Sequence, residues 1–244
     1  VNIAARGNAW VRRAKPLLGT LVEVGLPEGA AMHDVAFAAI SEVQAALSRF
    51  EASSDVGRFN AANEGDVIGI GTHAQSVLAA ADVLRAETDG RFDISLGSGT
   101  HAWRIDADRL HKLSAGVQLD LGGIAKGHAV DCAVTVLIAA GSPAGWVNAG
   151  GDLRAFGDID LPLQLRDEAT GGVRDFGLLR DGAFATSHFA PGSRPLAGSL
   201  AVHAHASVAA ASCLWADALT KVLAITGDTA HPLLARHGAQ GWLH

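Results

Sequence analysis

The chain has 244 residues, 49% of them hydrophobic, with 29 glycines, which describes a folded globular protein rather than a disordered or fibrous one. Its formal net charge of −6 argues against nucleic acid as a partner: a polyanion needs a basic field, whereas a single phosphate group needs only local donors. No apolar stretch reaches the roughly 20 residues of a membrane helix, and Val1 to Lys15 lacks the charged, apolar and small-residue order of a signal peptide. This reads as a cytoplasmic chain, or as a periplasmic or cell-envelope one if an upstream signal has been removed.

In chain order, Thr20 to Leu26 alternates like a half-buried strand ended by Pro27 to Gly29. Met32, Val35, Ala36, Ala39, Ile40, Val43, Leu47 and Phe50 recur at three- and four-residue steps and predict a helix over 31–50. Ser53 to Gly65 reads as a loop in which Ser54, Arg58 and Asn60 either cap and turn the chain or cover a ligand. Thr72 is placed to cap a second helix, 73–88, stopped by Gly90. Phe92 to Ser95 reads as a short extended segment with Asp93 and Ser95 on one face.

Leu119-Asp-Leu-Gly-Gly-Ile-Ala-Lys-Gly-His-Ala-Val-Asp131 concentrates the chemistry. A strand end, the pair Gly122–Gly123 and a helix over 124–140 form either a tight turn or an anion site, where first-turn N–H groups and Lys126 would face a phosphate. Cys132, just beyond, and Cys213 lie in apolar helical surroundings and read as core rather than redox groups. Gly145 to Leu153 reads as a buried strand broken by Gly150–Gly151, which marks a bulge or a close ligand approach. Leu161 to Arg166 reads as an edge strand, because Pro162 cannot donate to a ladder. Leu200 to Val208 alternates and puts His203, His205 and Ser207 on one face, where exposed histidines are the plainer reading and a zinc site the other. The last helix, 212–226, is amphipathic, with Asp217 and Lys221 one turn apart. Alternating strands and amphipathic helices without regular βαβ spacing predict an α+β fold of mainly antiparallel sheets.

Several blocks together resemble the FAD:protein FMN transferases, the ApbE-like family. They are Pro16-Leu-Leu-Gly-Thr20, Leu47-Ser-Arg-Phe50, Ser54-Asp-Val-Gly-Arg-Phe-Asn60, Asp89-Gly-Arg-Phe-Asp-Ile-Ser95, the central stretch above, Val147-Asn-Ala-Gly-Gly-Asp152, Ala185-Thr-Ser187 and Ala216-Asp-Ala-Leu219. The resemblance implies one domain over 1–244, T-fold-like, in two interleaved lobes with the nucleotide site between them. It implies FAD as substrate, Mg2+ as cofactor and a flavoprotein with a target Thr or Ser as acceptor. It further implies Asn60, Asp93, Gly122, Gly123, Lys126, Gly150, Gly151, Thr186 and Lys221 at the nucleotide, Ala125 (by its carbonyl) and Asp217 at the metal, and His188 and Lys126 in catalysis.

Three departures from the family pattern stand out. Residues 97–118, around Trp103, are shorter than usual. Lys221 replaces the usual Thr or Ser four residues after the aspartate, so it pairs with Asp217, contacts phosphate in the ion's place or leaves a more aqueous metal shell; Thr220 is about 100° away around the helix. His188 is either the remnant of a histidine that helps deprotonate the acceptor or a substitution of a glycine, and the D-P-x-T-G segment that usually follows is absent. The open alternatives are therefore an FMN transferase, a flavin holder or slow FAD hydrolase of the same fold, and an α+β protein without flavin.

Overall fold

The computed structural model describes residues 2–3, 10–166, 171–189 and 205–244. In order, the elements are β1 (Asn2–Ile3), β2 (Trp10–Leu17), β3 (Thr20–Pro27), α1 (His33–Leu47), α2 (Asp55–Ala61), β4 (Val67–Gly69), α3 (Thr72–Glu87), β5 (Trp103–Asp106), β6 (Arg109–Lys112) and α4 (Ala125–Ala139). There follow β7 (Ala144–Ala149), β8 (Asp152–Gly157), β9 (Leu161–Arg166), β10 (Val173–Leu179), β11 (Gly182–His188), β12 (His205–Ala210), α5 (Cys213–Thr226), α6 (Pro232–Arg236) and β13 (Gln240–Leu243). The architecture is α+β and every strand pairing among the described residues is antiparallel, as the periodicities predict.

A seven-stranded sheet, β13-β12-β11-β8-β7-β3-β2, is the frame. Its alternating side chains serve two cores: Val147 and Ala149 of β7 join the cluster formed with the helices, while Trp146 of the same strand joins a second cluster with Leu161, Leu163 and Leu165 of β9. The large sheet is thus covered on one face by helices and on the other by the small sheet β1-β9-β10. Gly25 makes room for the Trp146 indole, since a Cβ there would stand 2.2 Å from Trp146 Cε2.

Four expectations need correction. The stretch Ser53–Gly65 holds a helix, α2, because the Ser54 hydroxyl accepts from Gly57 N at 2.8 Å and starts it. Thr72 is the first residue of α3 rather than its cap, which is Gly71. Phe92–Ser95 is a compact turn rather than an extended segment: Asp93 Oδ1 accepts from Ser95 N at 2.8 Å, Asp93 Oδ2 accepts from Gly97 N at 3.0 Å, and all four residues are buried. The strand β9 lies between two neighbours, yet β1 pairs only with Leu163 and Gln164, so Pro162 still avoids a ladder on that side. The short 97–118 stretch forms the hairpin β5–β6, which adds β4 to make a three-stranded sheet with Trp103 buried.

The last helix also departs from expectation. α5 is buried nearly all round, packed between α4 and strands β11 and β12, so its polar residues are interior groups. His203 and the Ala190–Gly192 stretch lie outside the described residues.

Candidate functional site

The turn Leu121–Ile124 delivers the chain into α4. Asp120 Oδ1 accepts from Gly122 N at 2.8 Å and Ala125 N donates to Leu121 O at 2.8 Å, but no side chain caps Ile124. Gly122, Ala125 and Lys126 line a cleft of about 340 Å³ together with the Leu18–Gly19 turn and the C-terminal end of α1. Cleft volumes of roughly 300–1,000 Å³ suit small-molecule groups. Arg49, on the rim, pairs with Asp120 at 3.1 Å.

Lys126 joins this cleft to a buried ionic cluster. Its Nζ lies 2.5 Å from Asp152 Oδ2 and 3.5 Å from Asp217 Oδ2. Lys221 donates to the other Asp217 oxygen, to Asp217 O at 3.0 Å and to Ser187 Oγ at 3.1 Å, which uses all three of its protons. Asp217 is 0% exposed, Asp152 2% and Lys221 6%, so two buried carboxylates are balanced by one buried ammonium group and by Lys126, which reaches them from the cleft. Burial opposes the charge on Asp217, but Lys126, Lys221 and the Gly127 N–H overcome it and hold its carboxyl below the usual range. Burial and then the neighbouring Asp217 anion push Asp152 the other way, making it the more basic of the two acids. Burial also opposes the charge on Lys126; the two carboxylates more than offset it and keep the amine protonated.

Two helix N-termini meet here and each is capped by the other helix. Asp217 of α5 accepts from Gly127 N in the first turn of α4 at 3.1 Å. Asp131 of α4 accepts from Cys213 N and Leu214 N at the start of α5, both at 2.9 Å, and is held by Arg154 Nη1 at 2.7 Å. The carboxylates thus satisfy otherwise orphaned N–H groups and sit at the positive ends of two dipoles. Gly127 permits the approach, because a Cβ there would stand 2.2 Å from Cys213 O. Asp131, Asp152 and Ser187 were not singled out from the sequence; Asp131 and Asp152 close the two glycine-containing blocks, and that position was their only signal.

The structure brings Gly122, Ala125, Lys126, Asp217 and Lys221 together and gives the other expected residues separate work. The Asn60 side chain clamps the strand-like end of the central stretch, donating to Leu119 O at 2.9 Å and accepting from Leu119 N at 2.7 Å. Asp93 holds its own turn, which reaches the same segment through Asp120 N and Ile94 O at 2.8 Å. Gly150 and Gly151, with φ of +64° and +106°, form the two-residue hairpin between β7 and β8, so the stretch read as one broken strand is two, and a Cβ at Gly150 would also stand 2.5 Å from Thr20 Oγ1. Gly123 is half-buried in the turn before α4.

Strand alternation separates the remaining candidates. Ser187 of β11 faces α5, where its hydroxyl meets Thr220 Oγ1 at 2.7 Å as well as Lys221. Its neighbours Thr186 and His188 therefore face the opposite side, Thr186 against Ser207 at 2.9 Å and His188 with its ring stacked on His205 at 4.3 Å between centroids. His188 thus does not face Lys221 and Asp217.

The donor set expected for magnesium does not fit that ion as the side chains stand. Magnesium demands several hard oxygen ligands, whereas both oxygens of Asp217 are taken by ammonium groups and a backbone N–H, and the Thr220 hydroxyl is engaged with Ser187 and Asp217 O.

The fold recurs in solved flavin transferases. Flavin transferase ApbE from Vibrio cholerae superposes with a TM-score of 0.85 over 97% of this chain and 94% of that one at 19% identity. The apo form of Pseudomonas stutzeri flavinyl transferase ApbE gives 0.80 over 97% and 91% at 24% identity, and the ApbE protein of Thermotoga maritima 0.78 over 96% and 94% at 22% identity. No curated protein sequence matches the chain. The ApbE family model matches residues 18–115 and 105–187, and the chain belongs to the ApbE family.

Proposed function

We propose that the protein, acting as one unit over its 244 residues, transfers FMN from FAD to a Thr or Ser hydroxyl of an acceptor flavoprotein. The observation that carries this is Lys126, which lines the cleft and at the same time touches both carboxylates of the ionic cluster. The family and the solved flavin transferases of like fold support the substrate class.

The chemistry asks for position and charge more than covalent work. The acceptor oxygen forms a bond to the FMN phosphorus, the bond from that phosphorus to the bridging oxygen breaks, and AMP leaves. The diphosphate lies against the turn at the start of α4 with Lys126 beside it. Lys221 adds positive charge where the family pattern would place a metal ligand. The hydroxyl proton leaves to solvent as the phosphoester forms; His188, on the opposite face of β11 from Ser187, does not face the cluster. Magnesium is left out of these steps because Asp217 is already occupied.

A flavin holder or slow FAD hydrolase is the second reading, favoured by the Lys221–Asp217 pair and by the orientation of His188. The protein is incubated with FAD and a Thr-bearing peptide, with magnesium and separately with chelator, and products are read by mass spectrometry. Flavinylated peptide plus AMP supports transfer. Free FMN plus AMP without modified peptide makes it a hydrolase, bound unchanged FAD makes it a holder, and no bound flavin overturns both readings.

A further inference from the structure

Away from the cleft, α4 turns another face toward α3. His128 and Cys132, one helical turn apart on α4, meet His73 from the first turn of α3. His73 Nδ1 lies 3.1 Å from His128 Nε2, and Cys132 Sγ lies 3.5 Å from His128 Nε2 and 3.9 Å from His73 Nδ1. All three side chains are half-buried, sheltered enough to be oriented and open enough to admit a small ion. Cys132 is partly buried and packs against the edge of the core, whereas Cys213 is fully buried in it.

We propose that His73, His128 and Cys132 form a binding site for a zinc-class transition-metal ion, separate from the flavin cleft. The spacing carries the claim. Bond lengths of about 2.0–2.1 Å for Zn–N and about 2.3 Å for Zn–S put tetrahedral N···N edges near 3.4 Å and N···S edges near 3.6 Å, by order of magnitude. The three observed separations, 3.1, 3.5 and 3.9 Å, lie on either side of those edges, so one ion reaches all three atoms with side-chain adjustments of a few tenths of an ångström.

Ligand chemistry selects the ion. Imidazole nitrogen and thiolate sulfur suit zinc, cobalt or copper(I) and not magnesium or calcium, which take oxygen. Three protein ligands leave a fourth position for water. As the sulfur–metal bond forms, the thiol proton leaves to solvent. The ion would bridge α3 to α4, joining residues 55 apart in sequence.

Cobalt(II) is the probe. The chelator-treated full chain is titrated with Co2+ and followed by absorption. A site of this kind gives one equivalent with the visible bands of tetrahedral cobalt and a near-ultraviolet thiolate-to-cobalt band, displaced by Zn2+ and unaffected by excess Mg2+. Cys132→Ser should abolish the thiolate band, and His73→Gln, a change at a half-exposed first-turn position, should weaken binding at least tenfold. Circular dichroism establishes that each variant is folded; should Cys132→Ser fail, His73→Gln alone decides. Absence of the thiolate band in the wild type, its persistence in folded Cys132→Ser, or unchanged affinity in His73→Gln would each overturn the site.

Discussion

The two polar clusters carried by α4 are filled in opposite ways. Toward α5, Asp217, Asp152 and Lys221 are charged and deeply buried, and they and the half-buried Lys126 at the cleft satisfy one another. Toward α3, the groups are two imidazoles and a thiol, half-buried and held by one short contact and two longer ones. Full burial requires internal neutrality because an unpaired charge there costs several kcal/mol, by order of magnitude. Half-burial sets no such demand and leaves donor atoms for an external ion.

The largest effect should come from breaking neutrality on the closed side. Asp217→Ala leaves two ammonium groups facing one carboxylate and exposes the Gly127 N–H, so it should destabilise the fold by about 3–5 kcal/mol in denaturant unfolding. A change below about 1 kcal/mol would mean that the pair behaves like a surface ion pair. The cost is that of an interior charge, because α5 is an interior helix.

Gly127→Ala tests the approach of the two helices. Its Cβ meets backbone rather than a flexible side-chain end, and an overpacking cost of about 1–3 kcal/mol follows. Asp131→Ala should cost about 1–2 kcal/mol through the lost cap on α5. An Asp131→Asn variant, which keeps one acceptor, should recover part of that loss in the same thermal melt.

How much of this was readable in the chain depends on what each element faces. Helices α1, α3, α4 and α5 fall close to the predicted ranges because three- and four-residue apolar spacing survives in sequence. α2 was hidden because its polar and glycine residues resemble a loop, although Ser54 caps it. Lys126 and the Gly122 turn were legible from the local block. The burial of Lys221 was not, since a lysine one turn after an aspartate looks like a solvent-exposed pair. His73 lay outside any motif, 55 residues from its partner, while His128 and Cys132 stood inside or beside the central stretch without a visible third member.

On the open side the smallest effect is a rate. Burial, and then Asp131 and Glu42, push the Cys132 thiol up to about 11, so its alkylation should be slow near pH 8 and accelerate as pH rises toward that value. Cys213, fully buried, should stay unmodified until unfolding. Equal labelling of both cysteines in the folded protein would erase the contrast between the two sides.

The central claim is that Lys221 occupies the carboxylate at which a metal would bind. Calorimetric titration of magnesium into the wild type and into Lys221→Thr, each with FAD present, tests it directly. The account predicts no magnesium binding that depends on Asp217 in the wild type and a new magnesium site in Lys221→Thr. Asp217-dependent magnesium binding in the wild type, unchanged by Lys221→Thr, would contradict it.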